Sequence, residues 1–486
     1  MKKIALILSA CVLLGSCSES FLDRQPEDEL SPGGFYRNTA ELKAGLVGCY
    51  KVLQTIYTQT DLPLLPELMS DDGKDRFRTG TWQTFRKTNA DSGPNIWTNN
   101  FKMVANTNAL LRVIENYQPK NADEEKQVAA YHAEARFLRA LAYFNLVRVY
   151  GAVPLVDKAF TDLSTAFGIG RAAPAEVYSK LIIPDLEFAA ANALKKSDMK
   201  GEEARASKGA ALTMLAKAYL TQNNHAKAAE ALKRLIEDKE AGEYSLLANY
   251  SDVFSSTNKF HAESVFEVNF NVAAGQPSYW FRWVNNDVGL IWGVGGATNL
   301  LVEHNLMREF VESGETVRYK TTIDSGYIAA STIPIQAWVI KHCPAPAQLK
   351  AYNNTGTDNN WVVTRYADAL LMYAEALMVL GRKDDAVKYV NMVRTRAKVP
   401  AITAAQLDID AILHERRMEL AFEGHRYFDL VRTGKAIQVL TKALMTRVDY
   451  DTNVEISGPI PEEQLILPIP VGEIEKDQTL PQNQGY

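Results

Sequence analysis

Two stretches of this chain lying 158 residues apart constrain the fold more than any other feature: ALTMLAKAYLTQNNHAKAAEALKRLIE (Ala211 to Glu237) and ALLMYAEALMVLGRKDDAVKYVNMVRTRA (Ala369 to Ala397). They align without a gap, and each reads as helix, turn, helix. Ala216, Ala218 and Ala228 fall on Ala374, Ala376 and Ala386, small residues that let two antiparallel helices approach closely. Such a hairpin has the spacing of a tetratricopeptide repeat and cannot bury its apolar face alone, so it must stack on neighbours. An offset of 158 is not a whole multiple of the roughly 34-residue repeat, which requires a long insertion between the two. The alternative is two unrelated hairpins in a generic helical domain.

Further helices are expected at Ala40 to Tyr57, Asn95 to Tyr117 and Asp123 to Tyr150, where apolar residues recur at three- and four-residue steps. Gly151 and Pro154 stop the third. The insertion, Tyr244 to Trp361, is rich in Gly, Asn, Ser and aromatic residues, with short alternating runs at Ser264 to Phe270 and Ala337 to His342. The fold class is therefore mostly α: tetratricopeptide-like helical hairpins with an irregular, loop-rich insertion containing a few short strands.

The amino terminus, MKKIALILSACVLLGSC, has two lysines and an apolar run too short for the roughly 20 residues of a membrane span. It reads as an export signal. Leu14-Gly15-Ser16-Cys17 is similar to the cleavage box of bacterial lipoproteins, so residues 1–16 are expected to be removed and Cys17 to carry the lipid. The same box fits Leu8 to Cys11, but that choice leaves too short an apolar region. An ordinary signal peptide with an incidental Cys17 is the alternative. Residues 17–36 form anchor and acidic, proline-containing spacer, 37–243 a helical body, 244–361 the insertion, and 362–486 further hairpins and a tail.

Cleavage leaves 470 residues (486 − 16), more than one compact core usually holds. The net charge of −5 becomes −7 without Lys2 and Lys3, with both signs interspersed, so no basic face for nucleic acid is present. Cys49 and Cys343 are the cysteines that remain, two rather than a disulfide framework; pairing and two buried thiols both stay open.

Catalytic signatures are missing. GxSxG, the P-loop and HExxH are absent, and HERRM at His414 lacks the second histidine of a zinc site. WGVGG at Trp292 is an incomplete dinucleotide pattern. SDDGKD (Ser70 to Asp75) lacks the spacing of a calcium loop and is expected to be a surface turn. No metal or cofactor is expected, and nothing selects a carboxylate pair for glycoside cleavage. Aromatic residues are more informative, because the C–H faces of sugar rings stack on indole and phenol rings. Tyr279, Trp280, Trp283 and Trp292 cluster beside Asn285, Asn286 and Asp287, and Trp82 lies in another polar, Gly- and Thr-rich loop. These five rings are the expected ligand contacts; the alternative is that they form the insertion's own small core. Trp97 and Trp338 are expected to be structural, and Trp361 to face either way.

Taken together, the segments CSESFLDRQPEDELSP, IWTNNFKMVANTNALL, EARFLRALAYFNLVRVYGAVPLV, RYADALLMYAEAL, ERRMELAFEGHRYFDLVRTG and LPIPVGEIEKDQTLPQNQGY resemble the SusD/RagB family of outer-membrane nutrient-binding lipoproteins, nearly end to end. The resemblance implies four tetratricopeptide-like units with a less regular lobe carrying the ligand site. It also implies a role: a surface-exposed, lipid-anchored protein that caps a SusC-like, TonB-dependent transporter in the outer membrane, captures an oligosaccharide or polysaccharide and delivers it inward, without being an enzyme. Some relatives take peptides; a surface glycoside hydrolase and a purely structural scaffold are the remaining rivals. Glu419, Glu423, His425, Arg426 and Asp429, in one of the family blocks, are expected to pack helices and form salt bridges.

Overall fold

The computed structural model describes residues 36–58, 61–75, 81–160, 162–284, 300–324, 337–343, 356–446 and 458–486. The expectations for the signal, Cys17 and the spacer, and for Trp292, lie outside the described residues. Helix α1 (Thr39–Thr58) and the short α2 (Asp61–Leu68) lead into strand β1 (Gly73–Asp75) and one turn of helix, α3 (Thr81–Thr84). Helices α4 (Pro94–Asn116) and α5 (Ala122–Tyr150) follow as the longest pair.

α5 starts where its sequence says it should. The Asn121 side chain accepts hydrogen bonds from the Asp123 and Glu124 N–H groups, and three acidic residues occupy the first turn, complementing the helix dipole. Its middle is buried all round, so it forms the axis of the helical body. The chain then passes α6 (Pro174–Val177), a π-turn at Tyr178–Ile182 and α7 (Ile183–Asn192). Pro184 explains the widened turn, since its ring has no N–H and crowds the preceding carbonyls.

Helices α8 (Lys208–Thr221) and α9 (His225–Ile236) form the first of the aligned hairpins. The insertion holds β2 (Ser264–Val268), α10 (Trp280–Val284), β3 (Leu300–Val302), α11 (His304–Glu312), α12 (Thr316–Thr322), β4 (Ile323–Asp324), β5 (Trp338–Val339) and β6 (Trp361–Arg365). Helices α13 (Tyr366–Val379) and α14 (Lys383–Ala397) are the second hairpin, followed by α15 (Ile409–Leu420), α16 (Arg426–Arg432), α17 (Ala436–Met445) and α18 (Val471–Lys476).

Contacts run α1 to α4, α4 to α5, α5 to α7, α7 to α8, α8 to α9, α9 to α13 and α13 to α14. This is a continuous stack of four helix pairs. α9 packs directly on α13, so the insertion loops out while the stack continues, and the hairpins are repeats of one solenoid. All six aligned alanines are fully buried. The fold is thus mostly helical with few short strands. Among the described residues no helix is long and apolar enough to cross a membrane. Among the described residues Cys49 and Cys343 form no disulfide, and burial pushes the Cys49 thiol up to about 12.

Trp361 opens β6, which pairs antiparallel with β2 (Val268 opposite Trp361, Ser264 opposite Arg365) and carries the chain back into the stack. One local expectation is corrected. SDDGKD is not a surface turn. Ser70, Asp71, Asp72 and Lys74 are all buried, and Gly73 passes so close to α2 that a Cβ there would lie 2.5 Å from Leu300 Cδ1 and 2.9 Å from the Glu67 carbonyl oxygen.

Candidate ligand site

Strand β1 pairs antiparallel with β3, Gly73 opposite Val302 and Asp75 opposite Leu300. β4 pairs with β5 in the same sense, and the Val302 N–H donates to the Ala337 carbonyl at 3.2 Å, joining the two ribbons. The antiparallel register places Asp75 and Leu300 together at one end of the first ribbon.

Trp82 is fixed to that end. The Asp75 N–H donates to Gln83 Oε1 at 2.6 Å, and the Trp82 indole N–H donates to the Asp91 carbonyl at 2.9 Å. Thr81 Oγ1 donates to Asp91 Oδ1 at 2.5 Å, while Asp91 closes a capping box with Thr88. The ring is half-buried, with its polar edge satisfied by the protein. On the other strand, α10 packs against β3 and carries Trp283, also half-buried, next to half-buried Tyr279. The ribbon thus anchors both elements bearing these three rings. Just before them Ser278 bridges Thr357, and Gly356 at φ 98° lets this crossing close, since a Cβ there would fall 2.3 Å from Pro277 Cβ.

Trp280 differs from its expected role. It is 4 % exposed, its ring meets Trp361 edge-on at 4.9 Å and 68°, and its N–H donates to the Lys341 carbonyl at 3.3 Å. His342 stacks on the other side of the group, 5.2 Å from Trp361. Trp280 is a core residue that seats α10, so its indole has no free face to offer. Trp97 and Trp338 are buried as expected, and Trp361 faces the core.

Below this aromatic layer lies a buried ionic network. Arg365 donates to Glu263, Glu419 and Glu423; Arg318 to Glu315, Glu415 and Glu419; Arg396 to Glu263 and Glu419. Lys341 Nζ donates to Glu423 Oε1 at 2.7 Å and to the Ala421 carbonyl at 2.8 Å, and burial pushes its amine down to about 8 against the pull of Glu423. Burial disfavours the Glu423 carboxylate, but Arg365 and Lys341 outweigh this and hold it well below the usual range. Four of the five signature residues form salt bridges, Glu419 and Glu423 with Arg365, Asp429 with Arg416 at 2.7 Å and Arg426 with Asp71 at 2.8 Å, while His425 is buried without one.

The SDDGKD carboxylates have taken cations of their own, Asp71 with Arg417 and Arg426 and Asp72 with Arg417 at 2.6 Å. Among the described residues no group of His, Cys, Asp or Glu is placed to hold a metal ion. Glu67, fully buried beside Asp72, accepts the Gly424 N–H at 2.7 Å, and burial pushes its carboxyl up to about 8. Because that value lies above the ordinary 4.5, its contribution to stability is complete below pH 4.5 and is lost as pH rises through 8. Thermal melts at pH 6 and pH 9 should therefore show Glu67→Gln gaining on the wild type as pH rises; parallel pH dependences contradict this.

A family model described as the SusD family matches residues 239–486, and a second, described as starch-binding associating with outer membrane, matches residues 20–220. The chain belongs to the SusD family. Among curated SusD-like relatives, protein P2 of Formosa agariphila is 27 % identical over 100 % of this chain and 99 % of its own length. A SusD-like protein of Bacteroides ovatus is 26 % identical over 88 % of this chain and 82 % of its own. Among solved structures, a laminarin-binding SusD-like protein superposes with TM-score 0.74 at 27 % identity, covering 93 % of this chain and 100 % of that one. Surface glycan-binding protein A of Bacteroides fluxus, at 23 % identity and TM-score 0.75 over 92 % and 99 % of the two chains, shares the SusD-like fold.

Sequence reasoning missed what holds the site together. The ribbon and the cluster around Arg365 rest on residues far apart in sequence, and the Gln83 and Asp91 contacts that fix Trp82, though only eight and nine residues long, follow no helical or strand periodicity. The one visible signal is that RYADALL and ERRMEL, the segments that build much of that cluster, carry unusually dense charge for helices that must be buried.

Proposed function

We propose that this SusD-family protein is a cell-surface, lipid-anchored glycan-binding protein that captures oligosaccharides and delivers them to a SusC-like, TonB-dependent outer-membrane transporter. The observation carrying this reading is the end-to-end likeness to the laminarin-binding SusD-like structure at 27 % identity, joined to half-buried aromatic rings on a ribbon that a rigid ionic core supports. Trp82, Tyr279 and Trp283 are the rings assigned to the sugar, with Trp292 beyond the described residues; Cys17 carries the lipid. The role is binding rather than turnover. Rings on a fixed ribbon lose little conformational freedom on binding, which favours capture of a polymer by stacking while its hydroxyls meet neighbouring polar groups.

Affinity electrophoresis of the chain from Ser18 onward through gels containing laminarin, starch or another neutral polysaccharide tests the capture step. Retardation by one glycan class supports the reading. Unretarded migration in every gel overturns it and turns attention to peptide ligands. Co-purification of the full lipoprotein with a β-barrel transporter, lost on Cys17→Ser, tests anchoring and delivery.

A further inference from the structure

A cavity of about 40 Å³ lies where α2, α5, α8 and β6 meet the turn from Glu423 to Phe428. Its wall includes Trp361 and Glu423 of the support beneath the ribbon, and it also carries a guanidinium without an ion pair and an unused imidazole N–H. Arg148 is clamped between two rings, its guanidinium carbon 4.0 Å from the centroids of both Phe144 and Phe428. Its Nε donates to the Phe144 carbonyl at 3.1 Å and its Nη2 to Asn145 Oδ1 at 3.0 Å, both neutral acceptors. Among the described residues Arg148 forms no ion pair and its Nη1 has no acceptor.

The carboxylates nearby are committed to other cations. Asp368 is held by Lys217 at 2.7 Å and Arg416 at 2.8 Å, Glu423 by Lys341 and Arg365 at 2.7 Å each, and Asp429 by Arg416 and Arg432. The second donor is His425, 8 % exposed on the same wall. Its Nδ1 lies 3.4 Å from Lys217 Nζ, a group that can only donate, so Nδ1 accepts and the ring proton sits on Nε2. That Nε2 has no hydrogen-bond partner, and the nearest carboxylate oxygen, Asp368 Oδ2, is 4.0 Å away, out of reach. Burial pushes the imidazole down to about 3, consistent with a neutral ring bearing one N–H.

A half-buried guanidinium without an ion pair and a buried orphan N–H on one small cavity call for an acceptor that also brings negative charge. We infer that this cavity binds one small monovalent anion of halide size, held by Arg148 and His425 among aromatic walls. The volume suits it: a water occupies roughly 10–15 Å³ on this measure, which leaves room for a halide and little more. The ion would brace α5 and α8 of the helical stack against α2 and the signature block that supports the ribbon.

The test uses the chain from Ser18 onward in two measurements. Wild-type crystals soaked in sodium bromide and measured at the bromine edge should give an anomalous peak within hydrogen-bonding distance of Arg148 and His425. Thermal melts at equal ionic strength should show Tm about 1–3 °C higher in sodium chloride or bromide than in sodium gluconate, an increment lost in Arg148→Met and retained at least in part in Arg148→Lys. No anomalous peak in the cavity while bromide appears elsewhere overturns the inference, as does a melt indifferent to the anion. The crystal measurement decides the matter even where Arg148→Met fails to fold.

Discussion

Replacing Arg365 by methionine is expected to destabilise the protein by about 3–5 kcal/mol, because it removes one partner of a fully buried ion cluster and leaves the others without compensation. Arg365 is completely buried and makes five hydrogen bonds: Nη1 to Glu263 Oε1 at 2.8 Å and Glu419 Oε1 at 2.5 Å, Nε to Glu423 Oε2 at 2.7 Å, and Nη2 to Glu423 Oε1 and the Glu419 carbonyl, both at 2.8 Å. These ties join β6 to the insertion through Glu263 and to α15 and its following turn through Glu419 and Glu423. Methionine fills similar volume but offers no donor, so three carboxylates must share Arg318, Arg396 and Lys341. Urea titration should show a lower midpoint with an unchanged slope; an unchanged midpoint contradicts the role given to the cluster.

The second large effect is expected at Arg417. This side chain, 5 % exposed, donates to Asp72 Oδ1 at 2.6 Å, to the Asp71 carbonyl at 2.7 Å, to Asn305 Oδ1 at 2.9 Å and to Glu309. It therefore ties the lead-in to β1, helix α11 and helix α15 at one point. Arg417→Met leaves buried Asp72 without its cation and should cost about 3 kcal/mol. The damage should also be local. Hydrogen exchange is expected to accelerate over residues 69–75 and 300–305 well beyond the change in the helical stack, and uniform acceleration throughout would contradict the view that Arg417 specifically holds the ribbon.

Much of the helical stack was legible because its signals are local. Apolar residues at helical steps and the Gly151 stop place α5 to within a residue, and the alanines at 216, 218 and 228 matched to 374, 376 and 386 reveal repeats that the structure packs together. The strands were harder. WVVTR at 361–365 is short and runs straight into a helix, so its pairing with β2, far upstream in the chain, left no mark in its own neighbourhood. SDDGKD read as exposed for a related reason: its burial depends on Arg417 and Arg426, which lie beyond any local window, and charge alone suggests solvent.

The aromatic cluster shows where composition stops informing. Trp280 and Trp283 stand on the same short helix in the same polar context, yet one is locked between Trp361 and the Lys341 carbonyl while the other stays half-buried. Only the chain's return through β6 distinguishes them. Trp82 kept its place among the candidates, and the reason for its position, Gln83 holding the end of β1, was not visible in the sequence.

The central claim is tested most directly by calorimetric titration of a panel of neutral oligosaccharides, laminarin and starch fragments included, into the chain from Ser18 onward, with the glycan that binds then titrated into Trp82→Ala, Trp283→Ala and Trp280→Phe. The account predicts saturable heat with the wild type, affinity weaker by about ten-fold or more in the first two variants, a difference of roughly 1.4 kcal/mol, and undiminished affinity in Trp280→Phe. Full affinity in Trp82→Ala and Trp283→Ala, or no heat with any glycan of the panel, would contradict it.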